Sequence, residues 1–241
     1  MHRFGRKLLT GAGFAAVAQF SPLLGWTPLG GLLFPMRRRV ASTAAAALTF
    51  DDGPDRGTGA FPRELDRLGL RATFFLSGEQ VAIAPNYARE IFAAGHEIGI
   101  HGYTHQSHLE RLPTELTDDL KRARAMVENT ILAPVTLFRP PYGTCSIGSW
   151  QAARRLDLEV VLWSRWGRDW EAKATAESIA RLIGAPRAGE ILLLHDSDRY
   201  STEQSWRRTL AALPIIAERW AAAGVGLAPF GELLEEAAGN A

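Results

Sequence analysis

From residue 44 onward, short apolar runs alternate with segments of helical spacing, and this alternation constrains the fold more than any other feature. The runs are predicted to be strands and occupy residues 45–50, 72–76, 97–100, 136–139, 159–163, 191–195 and 225–228. Roughly seven strand–helix units predict an α/β fold, in which helices cover a parallel sheet. A chain of 241 residues can form either a closed or nearly closed barrel or a doubly wound open sheet.

Polar residues occur where five of these runs end. Asp51 and Asp52 follow the first run, His101 and His105 the third, Arg139 to Gly143 the fourth, Asp169 and Trp170 the fifth, and His195 and Asp196 the sixth. Both candidate architectures place active sites at the carboxyl ends of parallel strands. We therefore expect these five groups to meet on one face, although they are far apart in sequence.

The two histidines after the third run suggest a metal site. His101 and His105 are four residues apart, so one helical turn would place both imidazoles on the same side. One carboxylate of the pair at 51–52 would add a third ligand, and two histidines with one aspartate leave a position open for water. The residues alone do not decide which aspartate is the ligand. His108 is predicted to lie in a solvated turn.

Arg139 ends a buried run and is expected to face an anion. Asp51 is the nearest candidate in this arrangement, and a bidentate pair with Arg139 would orient that carboxylate. Pro140 and Pro141 stiffen the loop that follows, so the backbone N–H of Tyr142 would point at a substrate oxygen.

His195 follows four apolar residues and is predicted to be a general acid beside the carboxylates. Asp169 would hold the second ring nitrogen of His195 and raise its pKa. Trp170 and Leu193 would wall a small apolar pocket, although core packing is the ordinary role of such residues.

Composition argues against a nucleic-acid partner and excludes an intrachain disulfide. The net charge is +1, and the sequence has no basic stripe interleaved with aromatic residues, so we expect no nucleic-acid partner. Cys145 is the single cysteine, so an intrachain disulfide is impossible.

The N-terminus has the pattern of a signal peptide or a membrane anchor. Basic residues between Arg3 and Lys7 precede a stretch without charge from Leu8 to Met36, which Arg37–Arg39 closes. The alternative is an apolar arm packed on the domain. We expect residues 1–40 to form the signal or anchor segment and residues 41–241 the catalytic domain. The protein would then be exported or membrane-anchored, with an extracytoplasmic catalytic domain.

Five motifs follow one another along the chain: Thr49–Pro54, His101-x-x-x-His105, Arg139–Gly143, Asp169-Trp170 and Leu193-x-His195. Together they resemble the ordered motifs of the polysaccharide deacetylases, carbohydrate esterase family 4. The resemblance covers about residues 48–196. It implies a distorted (β/α) barrel with about seven parallel strands. It also implies removal of N-acetyl, and in some members O-acetyl, groups from sugar polymers with a divalent metal, usually Zn²⁺.

The resemblance also implies a role for each matching residue. Asp51 would be the general base, and a water molecule activated by the metal would attack the acetyl carbonyl. The metal ligands would be Asp52, His101 and His105. Arg139 would orient Asp51, the Tyr142 amide would stabilise the oxyanion, His195 would be the general acid tuned by Asp169, and Trp170 and Leu193 would hold the acetyl methyl group.

One position departs from the family pattern. The residue after the first histidine is usually Ser or Thr, whose hydroxyl braces the loop, but here it is Gly102. Loss of such a supporting bond typically costs about 10–100-fold in metal affinity or activity. On this reasoning, Gly102→Ser should tighten metal binding or leave it unchanged.

The expected substrate is an acetylated polysaccharide or oligosaccharide of the cell envelope or a chitin-like polymer. Two alternatives stay open at this point. One is a C–N hydrolase of the same fold that acts on a small amide, and the other is a non-catalytic envelope protein that binds glycans. The second alternative predicts that a base, an acid or a metal ligand is missing.

Overall fold

The sheet of this protein contains eight strands among residues 19–22, 27 and 30–239, which are the residues that the computed structural model describes. The strands are β1 Ala45–Asp51, β2 Thr73–Leu76, β3 Glu97–Ile100, β4 Leu137–Phe138, β5 Glu159–Val160, β6 Arg165–Trp166, β7 Ile191–His195 and β8 Gly226–Ala228. All strand pairs are parallel.

Strand order identifies the sheet as a distorted barrel rather than a doubly wound sheet. Seven strands follow the order β5-β4-β3-β2-β1-β7-β6, and β8 pairs with the start of β1. The order follows the chain around a ring, except that β7 takes the place beside β1 that β8 would have in a regular barrel. The ring is open between β5 and β6. The predicted fold class is therefore confirmed.

Helices connect the strands and cover the outside of the sheet. The longer helices are α1 Phe61–Arg67, α2 Gly78–Ile83, α3 Pro85–Ala93, α4 Pro113–Ile131, α5 Ile147–Arg155, α6 Ala176–Ile183, α7 Ser205–Ala222 and α8 Phe230–Gly239. A single turn, Gly30–Leu33, precedes β1.

The predicted strands differ from the observed ones mainly at the fourth and fifth runs. Residues 136–139 form only the two-residue strand β4, and residues 159–163 form only β5, because Val161 pairs with Arg37 instead. Strand β6 was not predicted, since a two-residue segment that begins with an arginine carries no hydrophobic pattern.

Alternation along β1 and β7 directs the polar residues into the barrel. Leu48 and Phe50 belong to the core between the sheet and the helices, whereas Ala47 belongs to a smaller core inside the barrel. Successive side chains of a strand point to opposite faces, so Asp51 faces the interior like Ala47. The register of β1 and β7 places Asp51 opposite His195.

Residues that precede β1 hydrogen-bond to the chain at the end of β5 and to the residues just before β7. Arg37 N–H donates to Val160 O at 2.7 Å, and Leu162 N–H donates to Arg37 O at the same distance. Val40 N–H then donates to Gly189 O at 3.0 Å. Part of the segment assigned to residues 1–40 is thus hydrogen-bonded to the sheet.

Most of the predicted signal or anchor segment lies outside the described residues. Within the described part of the chain, no helix combines the length and the apolar character that a membrane crossing needs. The signal or anchor and the domain boundary at residue 40 stay predictions.

Candidate active site and metal centre

A cavity of about 300 Å³ opens at the carboxyl ends of the strands. Eight of the ten predicted site residues line it, namely Asp51, Asp52, His101, His105, Tyr142, Trp170, Leu193 and His195. The other two, Arg139 and Asp169, are fully buried behind the cavity wall. The structure therefore brings together all five groups that follow the predicted strands.

Three side chains in this cavity can hold a metal ion. The ligand atoms of Asp52, His101 and His105 all lie within 4.8 Å of one another. Asp52 Oδ1 lies 3.5 Å from His101 Nε2 and 3.2 Å from His105 Nε2. This oxygen is buried yet has no hydrogen-bond partner. A buried carboxylate oxygen that faces two imidazole nitrogens without a hydrogen bond fits a divalent cation, because that donor set suits zinc-type metals.

Protonation states also suit metal binding by these residues. His101 Nδ1 lies 2.8 Å from Arg139 O, and a proton on Nδ1 leaves Nε2 free to act as a ligand. Burial lowers the pKa of His101 to about 4, so its ring is neutral at pH 7. Burial also raises the pKa of Asp52, but contact with His105 and the charges of His195 and His101 outweigh burial and lower it to about 2.

The two histidines lie in a loop, not on one helical turn as predicted. Residues 101–107 have no helical structure, and Gly102 has a φ of +83°. The predicted proximity is nevertheless found, because the loop folds back and brings the ring centroids of His101 and His105 to 5.2 Å. Helical spacing was therefore the wrong explanation for the closeness of these rings.

Asp119, on helix α4, braces this loop and was not predicted. Its carboxylate accepts hydrogen bonds from Tyr103 N–H at 2.7 Å and from Thr104 Oγ1 at 3.2 Å. Arg111 Nη1 forms an ion pair with the same carboxylate at 2.7 Å. The support that the family draws from a hydroxyl after the first histidine is thus replaced here by a buried carboxylate.

His108, predicted to lie in a solvated turn, is fully buried. Its ring stacks on Phe138 with centroids 5.8 Å apart, and its Nε2 lies 3.7 Å from the position that a Cβ on Gly102 would take. Burial lowers the pKa of His108 to about 4. His108 therefore packs against the loop that carries His101 and His105 and is not exposed to solvent.

Arg139 holds Asp51 through one nitrogen, and not through the predicted bidentate pair. Nη1 of Arg139 donates to Asp51 Oδ1 and to Thr49 Oγ1, both at 2.7 Å. The other guanidinium nitrogens donate to Val161 O at 3.1 Å and Leu162 O at 3.0 Å. Arg139 therefore ties β1 to the chain after β5, and Asp51 Oδ2 is left to face the cavity.

His195 and Asp169 form a hydrogen-bonded pair in the cavity wall, with Asp169 fully buried behind His195. His195 Nδ1 lies 2.9 Å from Asp169 Oδ1, while Asp169 Oδ2 accepts from His195 N–H at 2.7 Å and from Thr209 Oγ1 at 2.8 Å. Burial lowers the pKa of His195, but the charge and hydrogen bond of Asp169 outweigh burial and raise it to about 10. His195 Nε2 lies 4.0 Å from Asp52 Oδ2, so a proton on Nε2 faces the cavity.

Tyr142 lies in a tight turn at the cavity mouth. Its φ is +58°, and the hydrogen bonds that close the turn are donated by Gly143 and Thr144, so the Tyr142 N–H is not used to close it. The Tyr142 ring meets His105 edge-on at 4.5 Å between centroids. Its side chain is 61% exposed.

Four further residues line the cavity without having been predicted as site residues: Trp163, Trp166, Tyr200 and Ser201. Tyr200 stacks on His105 with centroids 4.0 Å apart, and its hydroxyl donates to Glu79 Oε1 at 2.8 Å. Trp170 meets the ring of His195 edge-on at 5.3 Å. Trp170 and Leu193 thus stand where the predicted apolar wall should be.

The arrangement supports hydrolysis of an acyl group. A possible cation site, a carboxylate fixed by an arginine and an imidazole whose pKa is raised by Asp169 surround one cavity, and apolar rings form part of its wall. These are the groups needed to polarise a carbonyl, to accept a proton from water and to protonate a leaving group.

Comparison with known proteins identifies sequence relatives. The family model of polysaccharide deacetylase matches residues 39–161. The chain is 32% identical over 175 residues to a peptidoglycan-N-acetylglucosamine deacetylase of Bacillus cereus, a match that covers 69% of this chain and 80% of that protein. It is also 32% identical over 159 residues to a bifunctional xylanase/xylan deacetylase of Cellvibrio japonicus, covering 66% of this chain but only 24% of that longer protein.

Solved structures agree with these sequence matches. A family 4 carbohydrate esterase from Streptomyces lividans, in complex with acetate, superposes with a TM-score of 0.70 at 29% identity and covers 78% of this chain and 93% of its own. A family 4 acetyl xylan esterase from Clostridium thermocellum, in complex with a cobalt ion, gives a TM-score of 0.71 at 28% identity, with coverage of 80% and 91%.

Proposed function

Because the chain belongs to the polysaccharide deacetylase family and is a deacetylase, we propose that it hydrolyses N-acetyl groups of a cell-envelope or chitin-like polysaccharide. One observation carries this proposal: Asp52, His101 and His105, which can hold a cation, share their cavity with a carboxylate oriented by Arg139 and an imidazole held by Asp169. The complete set also argues against a protein that only binds glycans.

Asp52, His101 and His105 would hold the divalent cation, with Zn²⁺ the best match to two imidazoles and one carboxylate. Bound there, the cation would polarise the acetyl carbonyl and lower the pKa of a water molecule. The cobalt ion bound by the Clostridium thermocellum esterase supports a divalent metal in this family.

Asp51 would accept the proton of the attacking water, because Arg139 fixes Oδ1 and leaves Oδ2 toward the cavity. His195 would give its Nε2 proton to the departing amine nitrogen, while Asp169 holds the ring through Nδ1. The Tyr142 N–H would donate to the oxygen that gains charge, and Trp170 and Leu193 would contact the acetyl methyl group. Acetate in the Streptomyces lividans esterase supports an acyl product of this size.

We further propose that the catalytic domain acts outside the cytoplasm, directed there by the N-terminal segment. The basic start and the uncharged stretch from Leu8 to Met36 support this placement. The Bacillus cereus relative, a peptidoglycan-N-acetylglucosamine deacetylase, supports an envelope glycan as substrate. Fractionation that finds the intact chain free in the cytoplasm would contradict this localisation.

The test is acetate release from a panel of acetylated glycans, measured with and without a chelator. We expect release from at least one N-acetylated polymer, loss of release after chelation, and recovery when Zn²⁺ is added. Full activity in the presence of a chelator that strips the metal would contradict the metal-dependent mechanism. Hydrolysis of small cyclic amides without any glycan activity would favour the C–N hydrolase alternative instead.

A further inference from the structure

The two histidines of the metal site are supported differently at their second ring nitrogen. His101 Nδ1 lies 2.8 Å from Arg139 O, which holds the ring and leaves Nε2 toward Asp52. The side chain of His105 is only 5% exposed, yet its buried Nδ1 has no hydrogen-bond partner among the described residues. Because metal-binding histidines almost always donate their second N–H to an acceptor, a different contact has to set the orientation of the His105 ring.

Tyr200 makes that contact. Its ring stacks on the ring of His105, with centroids 4.0 Å apart and planes inclined by 12°. Tyr142 meets the same imidazole edge-on, with centroids 4.5 Å apart and planes at 65°. A stacked ring restricts rotation of the imidazole about its Cβ–Cγ bond, as a hydrogen bond at Nδ1 would otherwise do.

We propose that Tyr200 is a positioning residue for the metal site, whose ring does the work of a hydrogen bond at Nδ1 and holds Nε2 of His105 toward Asp52. The proposal rests on the metal-dependent function proposed above. It adds to that function a residue that follows His195 in the chain and acts through a metal ligand without being one.

The hydroxyl of Tyr200 anchors this ring to the element that supports the metal-ligand loop. It donates to Glu79 Oε1 at 2.8 Å, and burial together with Glu79 raises the pKa of Tyr200 to about 12, so the hydroxyl stays a donor at pH 7. Glu79 is the second residue of α2, whose first two N–H groups donate to Gly102 O and Tyr103 O, each at 2.9 Å. Tyr200 and the loop of His105 are therefore bound to the same end of one helix.

The chain on both sides of Tyr200 is held by further hydrogen bonds. Before it, the Ser197 hydroxyl donates to Asp55 Oδ2 at 2.6 Å. After it, Ser201 Oγ lies 2.7 Å from Ser205 Oγ, at the start of α7. Since the chain is fixed on both sides and the hydroxyl is fixed as well, the ring is a preorganised surface and not a flexible one.

Tyr200 also lines the catalytic cavity, so the test has to separate support of His105 from contact with substrate. The variant Tyr200→Leu removes the stacked ring, whereas Tyr200→Phe keeps the ring and removes only the hydroxyl. Tyr87→Leu is the matched control. Tyr87 is also half-buried, but its ring lies beside Gly59 and is not part of the described lining of the catalytic cavity.

Dissociation constants for Zn²⁺ are measured on the full chain without substrate, by competition with a chelating indicator. We expect Tyr200→Leu to weaken Zn²⁺ binding by about 10-fold, the lower end of the range for residues that support metal ligands. Tyr200→Phe should weaken it by about 3-fold or less, because only one hydrogen bond is lost, and Tyr87→Leu should not change it. The visible absorption spectrum of the Co²⁺-loaded chain, which depends on ligand geometry, should change in Tyr200→Leu and not in Tyr87→Leu.

Unchanged Zn²⁺ affinity in Tyr200→Leu would overturn the proposal, and a raised KM for the glycan in that variant would then assign Tyr200 to substrate contact. Equal losses in Tyr200→Leu and Tyr200→Phe, or in Tyr200→Leu and Tyr87→Leu, would also overturn it, because the stacked ring would not be the cause. An unmutated chain that binds neither Zn²⁺ nor Co²⁺ would overturn it as well.

Acetate release by the unmutated chain is measured separately. A chain whose Zn²⁺ affinity depends on the Tyr200 ring but which releases no acetate would refute the deacetylase function, while the role of Tyr200 at the metal site stands.

Discussion

The two halves of the active site are supported in different ways. Asp51 and His195 end two paired strands, β1 and β7, in a register that the sheet itself sets. His101 and His105 lie in a loop after β3 that has no regular structure. In the strand half, Arg139 and Asp169 each bind the side chain of a predicted catalytic residue. In the loop half, Asp119 binds Tyr103 and Thr104, which lie between the two histidines, and not the histidines themselves.

The difference shows what each half needs. A strand fixes most of its own backbone through ladder hydrogen bonds, so the main task left is to set side-chain orientation and charge. Arg139 and Asp169 do this, and Asp169 also accepts from the His195 N–H where β7 ends. A loop has no ladder, so its N–H groups must find other acceptors, and a buried carboxylate supplies them. Perturbing the strand half should therefore affect turnover, and perturbing the loop half should affect metal affinity.

The largest effects are expected at the boundary between the halves, where Asp51 ends β1 and Asp52 follows it with a φ of +83°. Asp52→Ala leaves two imidazoles and should lose most of the metal. Asp51→Asn should retain the metal but lose about 10²–10⁴-fold in acetate release, the usual contribution of a positioned base. Metal content and turnover of both variants are the measurements.

If Asp51→Asn loses the metal and Asp52→Ala keeps it, the assigned roles are reversed. If both variants retain metal and near-native turnover, the deacetylase mechanism proposed for this cavity is wrong.

Asp169→Asn tests the strand half at the acid. An amide cannot accept all three hydrogen bonds that Asp169 receives from His195 and Thr209, and it no longer stabilises a charged imidazole. We expect kcat to fall by about 10²-fold or more while the metal content is unchanged. Asp157→Asn, at an exposed position, is the matched control. Loss of metal in Asp169→Asn would contradict the idea that the strand half controls turnover and the loop half controls metal affinity.

Sequence predicted the strand half better than the loop half. Asp51, Arg139 and His195 each end an apolar run, and parallel strands align their carboxyl ends, so a local pattern was sufficient to place them together. That pattern could not show which aspartate is the base and which is the metal ligand; the assignment of Asp51 and Asp52 came from the family resemblance.

The metal ligands of the loop half were predicted, but the conformation of the loop and the residues that support it were not. The helical explanation of His101 and His105 failed at Gly102, whose left-handed backbone a spacing pattern cannot reveal. Asp119 lies three residues after Leu116 and four before Ala123, on the buried face of α4, but this spacing does not show which groups its carboxylate contacts. Tyr200 contacts Glu79 across 121 positions of sequence. Local spacing can place Asp119 on a buried helix face, but no local pattern identifies the groups that Asp119 and Tyr200 contact.

Asp119→Asn tests the loop half. The amide loses one of the acceptors that hold Tyr103, Thr104 and Arg111. We expect metal affinity to fall about 10–100-fold, with kcat restored once the metal is saturating. The exposed neighbour variant Asp118→Asn removes the same charge and should change neither quantity. A lasting fall in kcat at saturating metal would show that Asp119 supports turnover as the strand residues do.

The smallest effect is expected at Gly102, where the structure reverses the expectation from family resemblance. A Cβ there would lie 3.2 Å from both Asp119 Oδ2 and Thr104 O, and the φ of +83° disfavours any side chain. The hydroxyl that Gly102→Ser would add is not needed, because Asp119 already braces the loop. We expect Gly102→Ser to weaken metal binding by about 10-fold, the lower end of the range for supporting residues.

Gly224→Ser separates the two causes of that effect. Gly224 has a similar φ of +71°, but no atom lies within 4 Å of its Cβ position. Both variants should lose about 1 kcal/mol of unfolding free energy, because each forces an L-residue into the left-handed region. Metal affinity should fall only in Gly102→Ser, because only its side chain presses on Asp119. Tighter metal binding in Gly102→Ser would support the expectation from the family resemblance. It would mean that one hydroxyl after His101 can improve the metal affinity of the loop half, although Asp119 already braces the loop.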